Sequence, residues 1–166
     1  MPKIIENLRE KLIAEARRQV EEQGYTMLTI RSVATACDVG VGTVYNYFAS
    51  KDQLVAAFML ENWQQRMAII ADTAQQSQEA SPVFACIHQQ LLVFIAQHQA
   101  VFADEAAAAN FSGSFGPYHS LLRSQLAQPL RRFCQDDFTA EFVAEALLTW
   151  TVAGRGIEEI QPLLKM

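Results

Sequence analysis

Glycine and proline are scarce in this sequence, 7 and 5 among 166 residues. So few chain breakers leave little room for the turns of an all-β fold, and frequent Ala, Leu, Gln and Glu favour helix along almost the whole chain. Cysteine is scarcer still. Cys37, Cys86 and Cys134 are odd in number, far apart and without a C-x-x-C pair, which excludes a disulfide framework or a zinc knuckle and predicts three reduced, buried thiols. Long apolar runs are also missing. The most apolar stretch, residues 83–96, is interrupted by His88-Gln89-Gln90 and falls short of the roughly 20 residues that span a bilayer, so it reads as a helix buried on most sides. The opening residues, Met1-Pro2-Lys3-Ile4-Ile5-Glu6, lack the apolar stretch and cleavage site of a secretory signal, and a cytoplasmic protein with no membrane partner is expected.

An excess of positive charge is absent as well. The net charge is -5, which taken whole argues against a nucleic-acid partner, but the sign is unevenly spread. Residues 1–51 hold seven basic and six acidic groups, and the remainder holds six basic and twelve acidic. An acidic body with a neutral-to-basic head is compatible with DNA binding if the positive groups share a face. With 51% of residues hydrophobic, the chain can bury a sizeable core and is not disordered.

Ile5, Leu8, Leu12, Ala16 and Val20 recur at three- or four-residue steps, the pattern of an amphipathic helix that Gly24 ends as a left-handed residue. Thr29 is suited to cap a short helix from Ile30 to about Cys37. Asp38-Val39-Gly40 makes a tight turn with positive φ at Asp38, and a second short helix is predicted from Val41 to Phe48. Ser50 and Gln53 form a capping box at the start of a long helix, residues 51–75. Ser81-Pro82 opens the apolar helix, which ends near His98. Shorter helices are predicted over 101–111 and over 118–133, the latter interrupted by Pro129. Thr139 is expected to cap a helix with Phe142, Val143, Ala146, Leu147 and Trp150 on one face, and Gly154-Arg155-Gly156 ends it.

Function is concentrated between Thr29 and Lys51. Two short helices joined by a three-residue turn pack at a steep angle, so the second can enter a major groove while the first braces it. Thr43, Tyr45, Asn46 and Tyr47 put hydrogen-bonding groups on a helix too short and too polar for a core element. Gly42 removes a side chain where the helix start must approach a duplex, and Thr29 and Lys51 begin the flanking helices, where N–H groups and a cation can meet phosphates. A helical hairpin with surface tyrosines fits the same pattern.

Residues 1–58 resemble the DNA-binding domain of the TetR/AcrR family of bacterial regulators. The matched positions are Thr29-Ile30, Val33-Ala34, Val39-Gly40-Val41-Gly42-Thr43-Val44-Tyr45-Asn46-Tyr47-Phe48, Ser50-Lys51 and Leu54, all in one register. The resemblance implies an all-α fold in which residues 1–50 form a three-helix helix-turn-helix domain and residues 51–166 a helical ligand-binding and dimerisation bundle. It implies that Val41, Gly42, Thr43, Tyr45, Asn46 and Tyr47 face DNA and that Thr29, Arg31 and Lys51 touch phosphates. The family pattern often has Gly at Asp38, Ser at Gly40, a polar residue at Val41 and His at Tyr47. These departures bear on base preference, Val41 being suited to a thymine methyl. By the same analogy Phe142, Ala146 and Trp150 meet their equivalents in a homodimer.

Trp63, Phe84, His88, Phe102, Phe111, Phe115, Tyr118 and His119 are candidates to line an apolar cavity with a few polar handles for a small-molecule effector. The three histidines are scattered and share no helix-face spacing, so no metal is expected. No cofactor is expected either, and the chain has no nucleophile elbow, phosphate loop or plausible carboxylate pair for catalysis. The expected function is a repressor that leaves a palindromic double-stranded operator when its effector binds. The alternative is a helical small-molecule-binding protein without useful DNA affinity.

Overall fold

A computed structural model describes residues 6–112 and 117–164, with the side chains of all but 110–112, 117, 163 and 164. Ile5 and Phe115 lie outside the described residues, as does the Phe111 side chain. Every regular element among the described residues is helical, as the composition predicts. Two compact units emerge, Met1–Glu61 with Ala100–Ala108, and Asn62–Gln99 with Ala109–Met166.

The first unit is built on α1, Leu8–Gln23, which buries Leu8, Leu12, Ile13, Ala16 and Val20. Gly24 ends it by donating its N–H to the Val20 carbonyl. Its φ of 86° with ψ of 163° is extended on the positive side rather than left-handed helical, a conformation that L side chains avoid. After a 3₁₀ turn at Tyr25–Met27 comes α2, Ile30–Ala36, which starts as expected: the Thr29 oxygen accepts from the Ser32 N–H at 2.9 Å, and Ser32 Oγ accepts from the Thr29 N–H. Asp38 takes a φ of 55° in the turn. The next helix, α3, is shorter than its pattern predicts: it spans Val41–Tyr45, with Asn46 and Tyr47 in a closing turn. The Phe48 N–H still reaches the Val44 carbonyl at 3.0 Å, so buried Val44 and Phe48 anchor one side of this segment. Buried Leu54, Val55 and Phe58 open α4, Lys51–Gln76. The Gln53 N–H donates to Ser50 Oγ, but the Gln53 amide oxygen accepts from Ala49 rather than from Ser50.

The predicted helix over 101–111 divides into α6, Gln99–Phe102, and α7, Glu105–Ser112. Asp104 is the reason. Its carboxylate accepts the Ala107 N–H at 3.0 Å and starts a fresh helix.

In the second unit, α5 spans Ala80–Gln97 and α8 spans Pro117–Leu130, followed by a 3₁₀ turn at Arg131–Phe133. Then come α9, Asp137–Val152, and the short α10, Ile157–Ile160. The helix α9 packs on both α8 and α5. Three boundaries differ from expectation. Glu79, not Ser81, precedes α5, and Pro82 falls within its first turn, where a missing N–H costs nothing. Pro129 likewise sits inside the last turn of α8 without ending it. Asp136, not Thr139, caps α9, accepting the Thr139 N–H at 2.7 Å. By length and composition α5 could cross a membrane. In this fold its Val83, Ile87 and Leu91 are buried while Gln89 and Gln97 are exposed. All three thiols are free and half-buried rather than buried.

Candidate nucleic-acid interface

The outer edge of α3 carries the residues singled out by the sequence. Tyr45 is 54% exposed and Tyr47 47%, with Gly42 and Asn46 also exposed and Val41 and Thr43 half-buried. Fixing Val44 and Phe48 inward leaves the two tyrosines no inward direction. Among the described residues, nothing beyond its chain neighbours and its own helix backbone lies within 4 Å of the position a Gly42 Cβ would occupy, and its φ is not positive. A helical glycine with right-handed φ and open space around it costs about 1 kcal/mol relative to alanine. Neither internal packing nor backbone strain requires glycine at this position.

The residues expected near phosphates stand at the starts of α2 and α4. Thr29 is exposed; as an N-cap it uses an acceptor lone pair, which leaves its hydroxyl hydrogen out of the cap. Arg31 is exposed on the first turn of α2. Lys51 is half-buried: its ammonium donates to the Tyr25 carbonyl at 3.3 Å and lies 4.1 Å from the Tyr25 ring centroid. Two of its three donors remain for other acceptors.

The sequence reading missed the polar network beneath Lys51. The Tyr25 hydroxyl donates to Asp52, and Thr26 Oγ1 donates to Asp104 Oδ2 at 2.6 Å. Burial, the Asp52 hydrogen bond and nearby negative charge push the Tyr25 phenol above its ordinary pKa. The hydrogen bond from Thr26 and the backbone of α7 hold the Asp104 carboxyl below its ordinary value, and Lys51 adds to this. Asp104 followed by Glu105-Ala106-Ala107 carries a readable helix-start signal. Its pairing with Thr26, 78 positions away, carries none.

The described residues proposed for an effector site stand in different local surroundings. Trp63 is buried, donates its indole N–H to Gln125 at 2.6 Å and meets Phe94 edge-on at 5.3 Å. Phe84 is buried on α5. His88 Nδ1 pairs with Thr151 at 2.8 Å, and His119 Nε2 pairs with Glu145 at 3.0 Å. Tyr118 stands at the start of α8 and is 36% exposed. Phe102 belongs to the first unit. No group of three or more metal-binding side chains occurs among the described residues.

The dimer candidates also separate. Val143 and Leu147 are buried inside the second unit, whereas Phe142 is 61% exposed and Ala146 and Trp150 are half-buried. Exposed Phe138 and Val152 extend that outer side of α9 beyond the expected set.

Residues 12–58 match the sequence profile of bacterial regulatory proteins of the tetR family. The HTH-type transcriptional regulator HbdR of Aromatoleum sp. (strain CIB) is 37% identical over 54 residues, 32% of this chain and 24% of that protein. The chain thus matches about a quarter of the length of this curated relative. Among solved structures, the TetR family repressor AlkX from Dietzia sp. strain DQ12-45-1b superposes with a TM-score of 0.67 at 16% identity, covering 95% of each chain. A possible TetR family regulator from Streptomyces coelicolor A3(2) gives a TM-score of 0.58 at 26% identity, covering 87% of this chain and 68% of that one.

Proposed function

We propose that this chain, whose residues 12–58 match the tetR-family profile, is a sequence-specific transcription repressor of that family that grips a palindromic DNA operator as a homodimer and releases it when a small-molecule effector binds. It is a regulator and not an enzyme. Residues 1–50 serve as the DNA-binding domain and residues 51–166 as the effector-binding and dimerisation domain, working in the cytoplasm.

The observation that carries this reading is Gly42 together with the tyrosines beside it. The chain gives up helix stability at a position where its own packing would accept a methyl group, and it leaves two large aromatic residues in water on the same edge. A duplex pressed against α3 accounts for both: a bare backbone permits close approach, while Thr43, Tyr45, Asn46 and Tyr47 reach base edges or phosphates. Thr29, Arg31 and Lys51 supply phosphate contacts around it. Phe142, Ala146 and Trp150, joined by Phe138 and Val152, form the dimer contact, which removes an exposed apolar stripe from water. Val143 and Leu147 have no free surface and support this contact from inside. Two heads then meet successive major grooves about 34 to 36 Å apart. The effector binds within the second unit around Trp63 and Phe84; His88 and His119 are held by Thr151 and Glu145.

Titration of labelled duplexes from beside the protein's own gene, at rising salt, tests the reading. Binding should appear with log affinity falling linearly against log salt. Absence of binding at low salt would leave a helical small-molecule-binding protein instead. Sedimentation should show a dimer that Phe142→Glu converts to monomers.

A further inference from the structure

The carboxylate of Asp104 comes from outside the contiguous DNA-binding segment, yet its two oxygens divide their work between its own helix and the head. Oδ1 accepts the Ala107 N–H and starts α7, while Oδ2 takes the Thr26 hydroxyl hydrogen. Thr26 lies in the turn that leads to Thr29 and packs beside Tyr25, whose carbonyl and ring hold the Lys51 ammonium. Asp52 accepts from the Tyr25 hydroxyl on the same cluster. One cation therefore shares this corner of the head with two carboxylates. One of them is carried by Ala100–Ala108, a stretch whose chain neighbours on both sides belong to the second unit.

We infer that Asp104 is an internal stand-in for a DNA phosphate: it occupies the Thr26 hydroxyl and draws on the Lys51 charge, so the free head is held below its full affinity for the nucleic-acid backbone. This rests on the DNA-binding reading above. A carboxylate and a phosphate oxygen ask for the same donors, a hydroxyl hydrogen and an ammonium, so occupation by one excludes the other. A phosphate arriving at Lys51 must also approach Asp104 against like-charge repulsion. That repulsion acts through solvent and is weakened by salt. Lys51 already contributes to holding the Asp104 carboxyl in its charged form. The device acts on backbone contacts, which carry no sequence information directly, so it sets affinity for DNA of any sequence.

The test uses the full chain and a labelled random-sequence duplex of roughly 30 base pairs, with anisotropy titrations across a salt series. Asp104→Asn keeps a good helix cap and removes the charge. It should raise affinity about two- to fivefold at low salt, with the gap closing as salt rises. Asp104→Ser also keeps a cap and is too short to hold Thr26, so it should gain at least as much. In a Lys51→Ala background most of the gain should vanish. Glu105→Gln removes an exposed neighbouring charge and should leave affinity nearly unchanged. Equal gains from Glu105→Gln, a full gain without Lys51, or weaker binding by both Asp104 variants would overturn the inference. Failure of the unaltered protein to bind at low salt would instead sink the DNA-binding reading itself.

Discussion

Trp63 and Tyr45 are both large aromatic residues on helices, and the chain treats them in opposite ways. Trp63 is 1% exposed, its ring edge-on to Phe94 and its N–H satisfied by Gln125. Tyr45 is 54% exposed and stands beside a glycine that the fold does not need. Trp63 belongs to the core of the second unit, whereas Tyr45 and Tyr47 stay outside the core of the first, which is held together by Phe48, Phe58 and aliphatic residues such as Leu12, Val33, Val44 and Leu54. Stability and recognition thus rest on separate sets of side chains, and substitution can address them one at a time.

Trp63→Ala should do the most damage. Removing a fully buried indole leaves a cavity and an unpaired Gln125, at a cost of about 3 to 5 kcal/mol, read as a lowered denaturant midpoint. Tyr45→Ala comes next, with the contrast reversed. Denaturation should change by no more than about 0.5 kcal/mol. Operator affinity should fall by about 1 to 3 kcal/mol, the range of a good base or stacking contact. If Tyr45→Ala destabilised the fold as much as Trp63→Ala, the division between the two regions would be wrong.

The same contrast explains what could be read in advance. The head was legible because its turns demand particular residues: Thr29 as a cap, Asp38 at positive φ and Gly24 where L side chains are strained. The recognition edge was legible because its residues make little sense as core. The rest of the chain uses apolar residues on several sides of its helices, so periodicity could not separate surface meant for a partner from surface meant for its own bundle. Phe142 and Val143 are adjacent in sequence and were read as one stripe, yet one is 61% and the other 2% exposed. Asp136 and Thr139 are both good caps, and only the backbone path decides between them. The pairing of Thr26 with Asp104 depends on tertiary packing, which no local pattern encodes.

Gly42→Ala sharpens the comparison because its two effects should have opposite signs. The added methyl meets no other described part of the chain outside its own helix backbone, so the helix should gain about 0.5 to 1 kcal/mol of stability. The same methyl stands between α3 and a duplex and should lower operator affinity about tenfold, close to 1.4 kcal/mol. A variant that was more stable and bound equally well would show that the duplex does not approach this backbone.

The smallest expected effect concerns a charge in the bundle. Burial raises the Glu145 pKa, but hydrogen bonds from His119 and Thr149, with the charges of His119 and Arg123, outweigh it and leave the carboxyl below its ordinary value. A group whose folded pKa is depressed adds stability above its unfolded pKa, near 4.3, and loses that contribution as pH falls through the folded value. Because the side chain is 37% exposed, solvent screens the pair, and Glu145→Gln should cost only about 0.5 kcal/mol at pH 7. The difference between the two proteins should close below about pH 4, while DNA binding at pH 7 stays unchanged. Persistence of the gap at pH 3 would mean that Glu145 acts through packing rather than charge. A change in DNA affinity would mean that the contact between α8 and α9 is not confined to holding the second unit together.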